Sequence, residues 1–310
     1  MKIEITQTML IEKSPSEIFK IISDLSKWTL WSPWYHTETA SKTHVSQNTH
    51  SNDFLTWEGQ VIGSGKMSLT KKSSPNEVEF LLEFFKPFKN KANVIFKITE
   101  KSQSQSIVSW NMTCNFPWFM YFFKGFLVAS LQDDFLRGLL MLKELSEKGS
   151  VTSRTVFHES KNFPERYFVG IKVTGKISDL GINMQAAHKK IADTISTGKL
   201  KSSPLKGTVL KKFIRHKNQC ELYTGLFYDN KIDFEIPEGF SSDKVPAHKA
   251  AYVDFFGSYM HIRNGWSVLT ATTRARQIRH NKALPEYELY IKQDGPESEL
   301  HTQMVMPILN

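Results

Sequence analysis

The second half of the chain repeats its own order of elements. Residues 166–173, Arg-Tyr-Phe-Val-Gly-Ile-Lys-Val, read as a strand. A helical stripe follows through Leu180, Met184, His188, Ile191 and Ile195, with Gly198 as its stop. The order then returns: a strand over residues 249–256, and a helix with Tyr259, Ile262, Trp266, Leu269 and Thr273 on one face. Strands around Glu288 and over residues 304–308 complete it. Strand-helix-strand-strand twice, with Gly175 and Gly257 near the helix entrances, predicts an internal duplication about a pseudo-twofold axis, with a cleft along that axis. In the first copy the two strands after the helix are expected at residues 221–228 and 232–236, as a hairpin turning at Asp229-Asn230-Lys231. Residues 199–218 read as a polar, lysine-rich connector, and residues 151–158 as the opening strand of this domain.

The last copy holds the most informative position. Tyr287, Leu289 and Ile291 face one way along the strand, and Glu288, Tyr290 and Lys292 the other. A carboxylate in an otherwise aromatic strand is either solvated or turned into a lined pocket. In a pocket it carries a desolvation cost unless a cation or a proton compensates it.

This Tyr-Glu-x-Tyr segment is followed by Asp294-Gly295-Pro296-Glu297 and a Met-Pro-Ile strand. With Phe256-Gly257-Ser258-Tyr259, Trp266 and Pro237-Glu238-Gly239, it resembles GyrI-like effector-binding domains over residues 150–310. The resemblance implies that Glu288 sits in a central ligand cleft, with Tyr228, Tyr252, Trp266 and Tyr290 as further ligand-binding candidates. A buried acid among ring faces suits a hydrophobic, cationic small molecule. The likeness also implies an alternative: some GyrI-like proteins hydrolyse reactive electrophilic small molecules, and Glu288 with Tyr228 or Tyr252 would then be the catalytic pair. Transcriptional members of this family carry a DNA-binding domain in front. Here that place is occupied by something else.

In the first half, strand-like alternation at Ile3 and Ile5 is followed by Ser14-Pro15-Ser16-Glu17, a helix start with proline at the first position. A second short helix reads over residues 24–28. Five strands follow at residues 53–59, 66–72, 76–85, 92–100 and 106–115, and a helix over residues 118–148 closes the half. Its stripe is Leu127, Leu131, Phe135, Leu139 and Leu142, and Gly149 stands just past its end. This is the order of a helix-grip fold. Asp24-x3-Trp28-x2-Trp31-Ser32-Pro33-Trp34, Trp57-Glu58-Gly59, Gly63-x-Gly65-x-Met67 and Trp110-x-Met112 resemble the polyketide-cyclase/dehydrase branch of the START-related (SRPBCC) superfamily. That likeness covers residues 1–149 and implies an apolar cavity between sheet and helix. The expected class is therefore α+β: a helix-grip domain, residues 1–149, joined to a duplicated effector-binding domain, residues 150–310.

Chemistry is sparse elsewhere. Gly63-Ser64-Gly65-Lys66 lacks the spacing and the Ser/Thr of a phosphate loop. His36, His44 and His50 have no Cys or carboxylate at ligand spacing, so neither a metal nor any other cofactor is expected. Residues 118–123, Trp-Phe-Met-Tyr-Phe-Phe, could be a cavity lid or a membrane-touching surface, and the expected reading is buried packing at the start of the long helix. The net charge of +9 is uneven. Through Ser150, 17 Lys and Arg face 15 Asp and Glu, a net +2, against 23 and 16 afterwards, a net +7. The basic runs over residues 199–217 and 274–282 lack the interleaved aromatics or the presented helix that nucleic acid requires, so no nucleic-acid partner is expected. Cys114 and Cys220 are too few for a disulfide framework, and no apolar run reaches the length of a membrane span; a soluble, cytoplasmic protein is expected. An interaction protein that engages a macromolecule through one module stands as a third reading. The oligomeric state is not legible.

Overall fold

Ile3, Ile5 and Ile11 turn inward from β1 (Lys2–Ile11), which pairs antiparallel along its whole length with β7 (Gln105–Asn115). The computed structural model describes residues 2–46, 53–116, 118–203 and 205–309. The chain divides into two units, Met1–Thr152 and Ser153–Asn310.

Unit 1 is a seven-stranded antiparallel sheet in the order β1-β7-β6-β5-β4-β3-β2, gripping one long helix. The other strands are β2 (Lys42–Ser46), β3 (Phe54–Glu58), β4 (Ser64–Ser73), β5 (Glu77–Lys86) and β6 (Asn90–Ser102). Two short helices, α1 (Pro15–Ile22) and α2 (Pro33–Thr37), follow β1, and α3 (Lys124–Lys148) packs back against it, ending at the left-handed Gly149. The tryptophans are the keystone. Trp28, Trp31 and Trp110 are buried with Phe96 and Phe80 in edge-to-face and tilted contacts, and Phe135 of α3 stacks on Trp110 at 4.4 Å. Gly138 permits this: a Cβ there would lie 2.6 Å from the Trp110 ring. Arg137, also buried, donates to Asp134 at 2.8 Å, to the Pro33 carbonyl at 2.9 Å and to Thr37 Oγ1 at 2.9 Å, tying α3 to α2.

Two expectations for this unit change. β2 carries a sequence too polar to be recognised as a strand, and it forms the sheet edge. Tyr121, Phe122, Phe123 and Phe126 are exposed, not packed under the helix; the side chains of residues 118–120 and all of His50 lie outside the described residues.

Unit 2 is one continuous eight-stranded antiparallel sheet, β12-β9-β11-β10-β14-β15-β13-β8. Its strands are β8 (Arg154–Phe163), β9 (Arg166–Lys176), β10 (Leu205–Ile214), β11 (Gln219–Tyr228), β12 (Ser241–Val245), β13 (His248–Phe256), β14 (Glu286–Lys292) and β15 (His301–Pro307). Helices α4 (Leu180–Ser196) and α5 (Ile262–Ala275) follow β9 and β13. The order is palindromic: β9-β11-β10 on one side mirrors β13-β15-β14 on the other, so the pseudo-twofold axis runs between β10 and β14.

The hairpin expected at residues 221–236 is replaced by another. β11 turns back on β10, which lies inside the stretch expected to be a connector. Lys206, Lys211 and Lys212 conceal this strand because the lysines stay exposed while Gly207, Thr208 and Val209 are buried at the centre of the sheet. Residues 232–236 form no strand; Ile232, Phe234 and Ile236 bury their side chains against the cluster under α4 instead.

Candidate functional site

Alternation along β14 sends Tyr287 and Leu289 into the core on one face of the sheet and Glu288 and Tyr290 toward the helices on the other. Antiparallel register places Glu288 opposite Thr208 of β10 and opposite Met304 of β15. Glu288 therefore stands at the seam of the duplication. Met304 packs under α5, and Gly265 lets that helix settle there: a Cβ at 265 would meet the Met304 sulfur at 2.3 Å. The next residue, Trp266, then reaches the carboxylate, with Nε1 donating to Oε1 at 2.6 Å. Tyr290 Oη donates to the second oxygen at 3.1 Å.

Glu288 is only 9% exposed, and both of its partners are neutral donors. Burial raises its carboxyl above the usual range, and the Trp266 and Tyr290 hydrogen bonds offset this only in part. Burial and the neighbouring Glu288 charge likewise push the Tyr290 hydroxyl up. Beyond Tyr290 the polar groups form a chain. Its hydroxyl lies 2.7 Å from Thr208 Oγ1, Thr208 Oγ1 lies 3.3 Å from Thr224 Oγ1, and His188 Nε2 of α4 lies 2.9 Å from Thr224. Burial first, and Lys206 second, hold His188 below its ordinary value, so at neutral pH this imidazole brings no positive charge to the acid.

The rim of this arrangement is open. His188 and Tyr259 are exposed on the surface, yet each is surrounded by enough protein to shift its titration, with Tyr259 pushed up mainly by burial. The rings of Tyr259 and His188 lie 5.9 and 6.2 Å from that of Tyr290. A buried acid with two neutral donors, beneath an aromatic rim, can accept a cation whose bulk contacts rings and whose charge meets the carboxylate.

Of the residues named from sequence, Trp266 and Tyr290 touch Glu288; Tyr228 and Tyr252 have other partners. Tyr228 donates to the Lys201 carbonyl and packs on Phe234 in the cluster under α4, and burial pushes its hydroxyl up to about 12. Tyr252 lies on the opposite face of the sheet, stacked on His158 at 4.3 Å and edge-on to Phe163. The Glu-Tyr pairs of the hydrolytic alternative are thus not assembled. His188, Thr208, Thr224 and Tyr259 were missed as site residues. The helical stripe marked His188 as a core position, and the two threonines have no signal until strand register brings them to the seam.

Unit 1 contains a cavity of about 120 Å³, part of it open to solvent. Trp34, Trp57, Leu82, Phe84, Met112 and Phe135 are among its walls. The Glu38 carboxylate closes one loop over it by accepting the backbone N–H groups of Gln60, Val61 and Ile62 at 2.8, 2.8 and 3.0 Å. Among the described residues, Ser41 Oγ and Trp110 Nε1, from two residues of the lining, are buried without a hydrogen-bond partner. Gly63-Ser64-Gly65-Lys66 enters strand β4 and does not form a phosphate loop. Among the described residues no three His, Cys, Asp or Glu side chains are grouped to hold a metal, and no helix is long and apolar enough to cross a membrane.

Residues 158–309 match the family described as the GyrI-like small molecule binding domain. No curated protein matches the chain in sequence. Among solved structures, the chain is similar to SAV2435 bound to tetraphenylphosphonium, at 17% identity and a TM-score of 0.39, covering 50% of this chain and 94% of that one. It is also similar to EcmrR in a complex with DNA, at 16% identity and a TM-score of 0.41, covering 59% and 67%. The Aha1 dimer from Colwellia psychrerythraea is 16% identical with a TM-score of 0.35, covering 47% and 98%.

Proposed function

From the GyrI-like small-molecule-binding domain of residues 158–309, we propose that this chain binds hydrophobic cations at Glu288, and that its first unit is a second module for apolar small molecules. The observation that carries the first part is the Glu288 carboxylate itself, buried at the duplication seam, where Trp266 and Tyr290, both neutral, are its close polar partners among the described residues. A cationic guest supplies the missing charge, and the Trp266, Tyr290 and Tyr259 rings supply contact area and ring faces. For unit 1, the apolar cavity supports an apolar guest, as does the likeness to START-related proteins, and Ser41 Oγ and Trp110 Nε1, without hydrogen-bond partners among the described residues, belong to two residues of its lining. The whole then acts in sensing or sequestration in the cytoplasm.

Calorimetric titration of the full chain with tetraphenylphosphonium and with neutral triphenylphosphine oxide tests the Glu288 assignment. Glu288→Gln should weaken the cation by about tenfold or more and leave the neutral compound within about twofold, as loss of one buried charge partner requires. Equal losses for both compounds overturn it. For unit 1, a neutral fluorescent probe such as N-phenyl-1-naphthylamine should brighten on binding, and Met112→Trp, which fills the cavity, should abolish the signal.

A further inference from the structure

The exposed aromatic cluster of unit 1 belongs to neither site. Tyr121, Phe122, Phe123 and Phe126 lead into and begin α3, all more than half exposed, with Phe122 at 87%. A side chain that open projects from the surface; it does not line a groove. The end of β5 adds Phe85 and the turn after it Phe88, each about half exposed. The Phe88 ring lies 6.4 Å from that of Phe116, which brings this turn to the foot of the α3 entrance. Singly exposed apolar residues are ordinary, but six aromatics on two neighbouring segments are not.

Charge completes the pattern. Residues 84–91 and 118–132 contain Lys86, Lys89, Lys91 and Lys124 and no acidic residue. Lys91 pairs with Glu83 at 2.7 Å and Lys86 more loosely with Glu58 at 3.8 Å, while Lys89 and Lys124 make no ion pair among the described residues. Projecting aromatics with two unpaired lysines on the same segments match the layered chemistry of a bilayer surface, where rings enter the headgroup–acyl boundary and ammonium groups meet anionic lipid.

We propose that unit 1 docks through Phe122, Phe123, Phe126 and Phe88 onto an anionic phospholipid membrane surface, with Lys89 and Lys124 supplying the electrostatic attraction. The same strand that ends in this turn, β5, lines the apolar cavity with Leu82 and Phe84, so a docked unit holds its cavity wall close to the lipid.

Co-sedimentation of the full chain with vesicles of phosphatidylcholine, alone or mixed with phosphatidylglycerol, tests the proposal without any cavity ligand. The protein should pellet with the mixed vesicles, less with phosphatidylcholine alone, and less again as salt is raised. The triple variant Phe122→Ser, Phe123→Ser, Phe126→Ser should lower partitioning by about tenfold or more on both vesicle types, as loss of inserted apolar area requires. Lys89→Glu with Lys124→Glu, which leaves every aromatic ring of the patch in place, should lower it only on the anionic vesicles. Wild-type protein that stays in the supernatant overturns the proposal. So does a triple variant that pellets like wild type, or one that instead converts a dimer to a monomer in analytical ultracentrifugation, which would make the patch a self-interface.

Discussion

Thr208 and Glu288 face each other across the seam between β10 and β14, and one hydroxyl serves both: Tyr290 Oη lies 2.7 Å from the threonine oxygen and 3.1 Å from the carboxylate. The two residues occupy equivalent positions in the two copies of the duplication, yet only one is ionisable. An acid in both copies would place like charges side by side in a buried strand pair, which neither could sustain in the ionised form. The single carboxylate on the pseudo-twofold axis follows from that restriction.

Stability should depend on pH through this acid. The folded state raises the Glu288 carboxyl, so between its unfolded and folded values the folded protein binds more protons than the unfolded chain, and stability falls as pH rises through that window. Glu288→Gln lacks the penalty and should melt at a higher temperature than wild type at pH 8, the difference closing as pH approaches 4. Tetraphenylphosphonium should stabilise wild type more at pH 8 than at pH 5. Scanning calorimetry across pH checks both, and a Glu288→Gln variant less stable than wild type at pH 8 contradicts them.

Trp266→Phe keeps most of the ring and removes the Nε1–H donor to Glu288. The ionised acid then loses a charge-assisted hydrogen bond, a cost of about 1–3 kcal/mol at pH values where it is charged. The carboxyl should titrate higher still, which selective ¹³C labelling of glutamate and NMR would show directly. An unmoved titration would mean that this bond does not hold the charge.

Gly138→Ala should destabilise unit 1 by about 1–3 kcal/mol, because its methyl group meets the Trp110 ring, which is held by its contacts with Trp31, Phe96 and Phe135. Urea unfolding followed by tryptophan fluorescence measures this, and apolar probe binding in the adjacent cavity should weaken in parallel.

Arg137→Ala should cost about 3–5 kcal/mol, as it strips donors from Asp134, the Pro33 carbonyl and Thr37 in a buried setting. A thermal shift of the unit 1 transition is the readout. A change of less than about 0.5 kcal/mol, the level of an ordinary surface substitution, would show that the network contributes nothing to docking α2.

Sequence alone determined the two-part architecture, six of the seven strands of the first sheet, the long helix on Phe135, Leu139 and Leu142, and the strand phase that turns Glu288 away from Tyr287. Each of these rests on local periodicity, which survives without knowledge of what lies opposite. It marked Trp266 and Tyr290 through a resemblance, and on the same basis included Tyr228 and Tyr252, since an aromatic residue carries no record of which sheet face it will occupy.

Only the tertiary structure decided the rest. It drew β10 out of a lysine-rich stretch because a central strand needs burial at Gly207, Thr208 and Val209 alone, while its lysines remain in water. It brought Thr208, Thr224 and His188 to the acid through register and helix docking, across separations in sequence that no local pattern spans. It also left Phe122 and its neighbours in solvent, because exposure is a property of what the remaining chain covers, and an apolar run by itself cannot specify that.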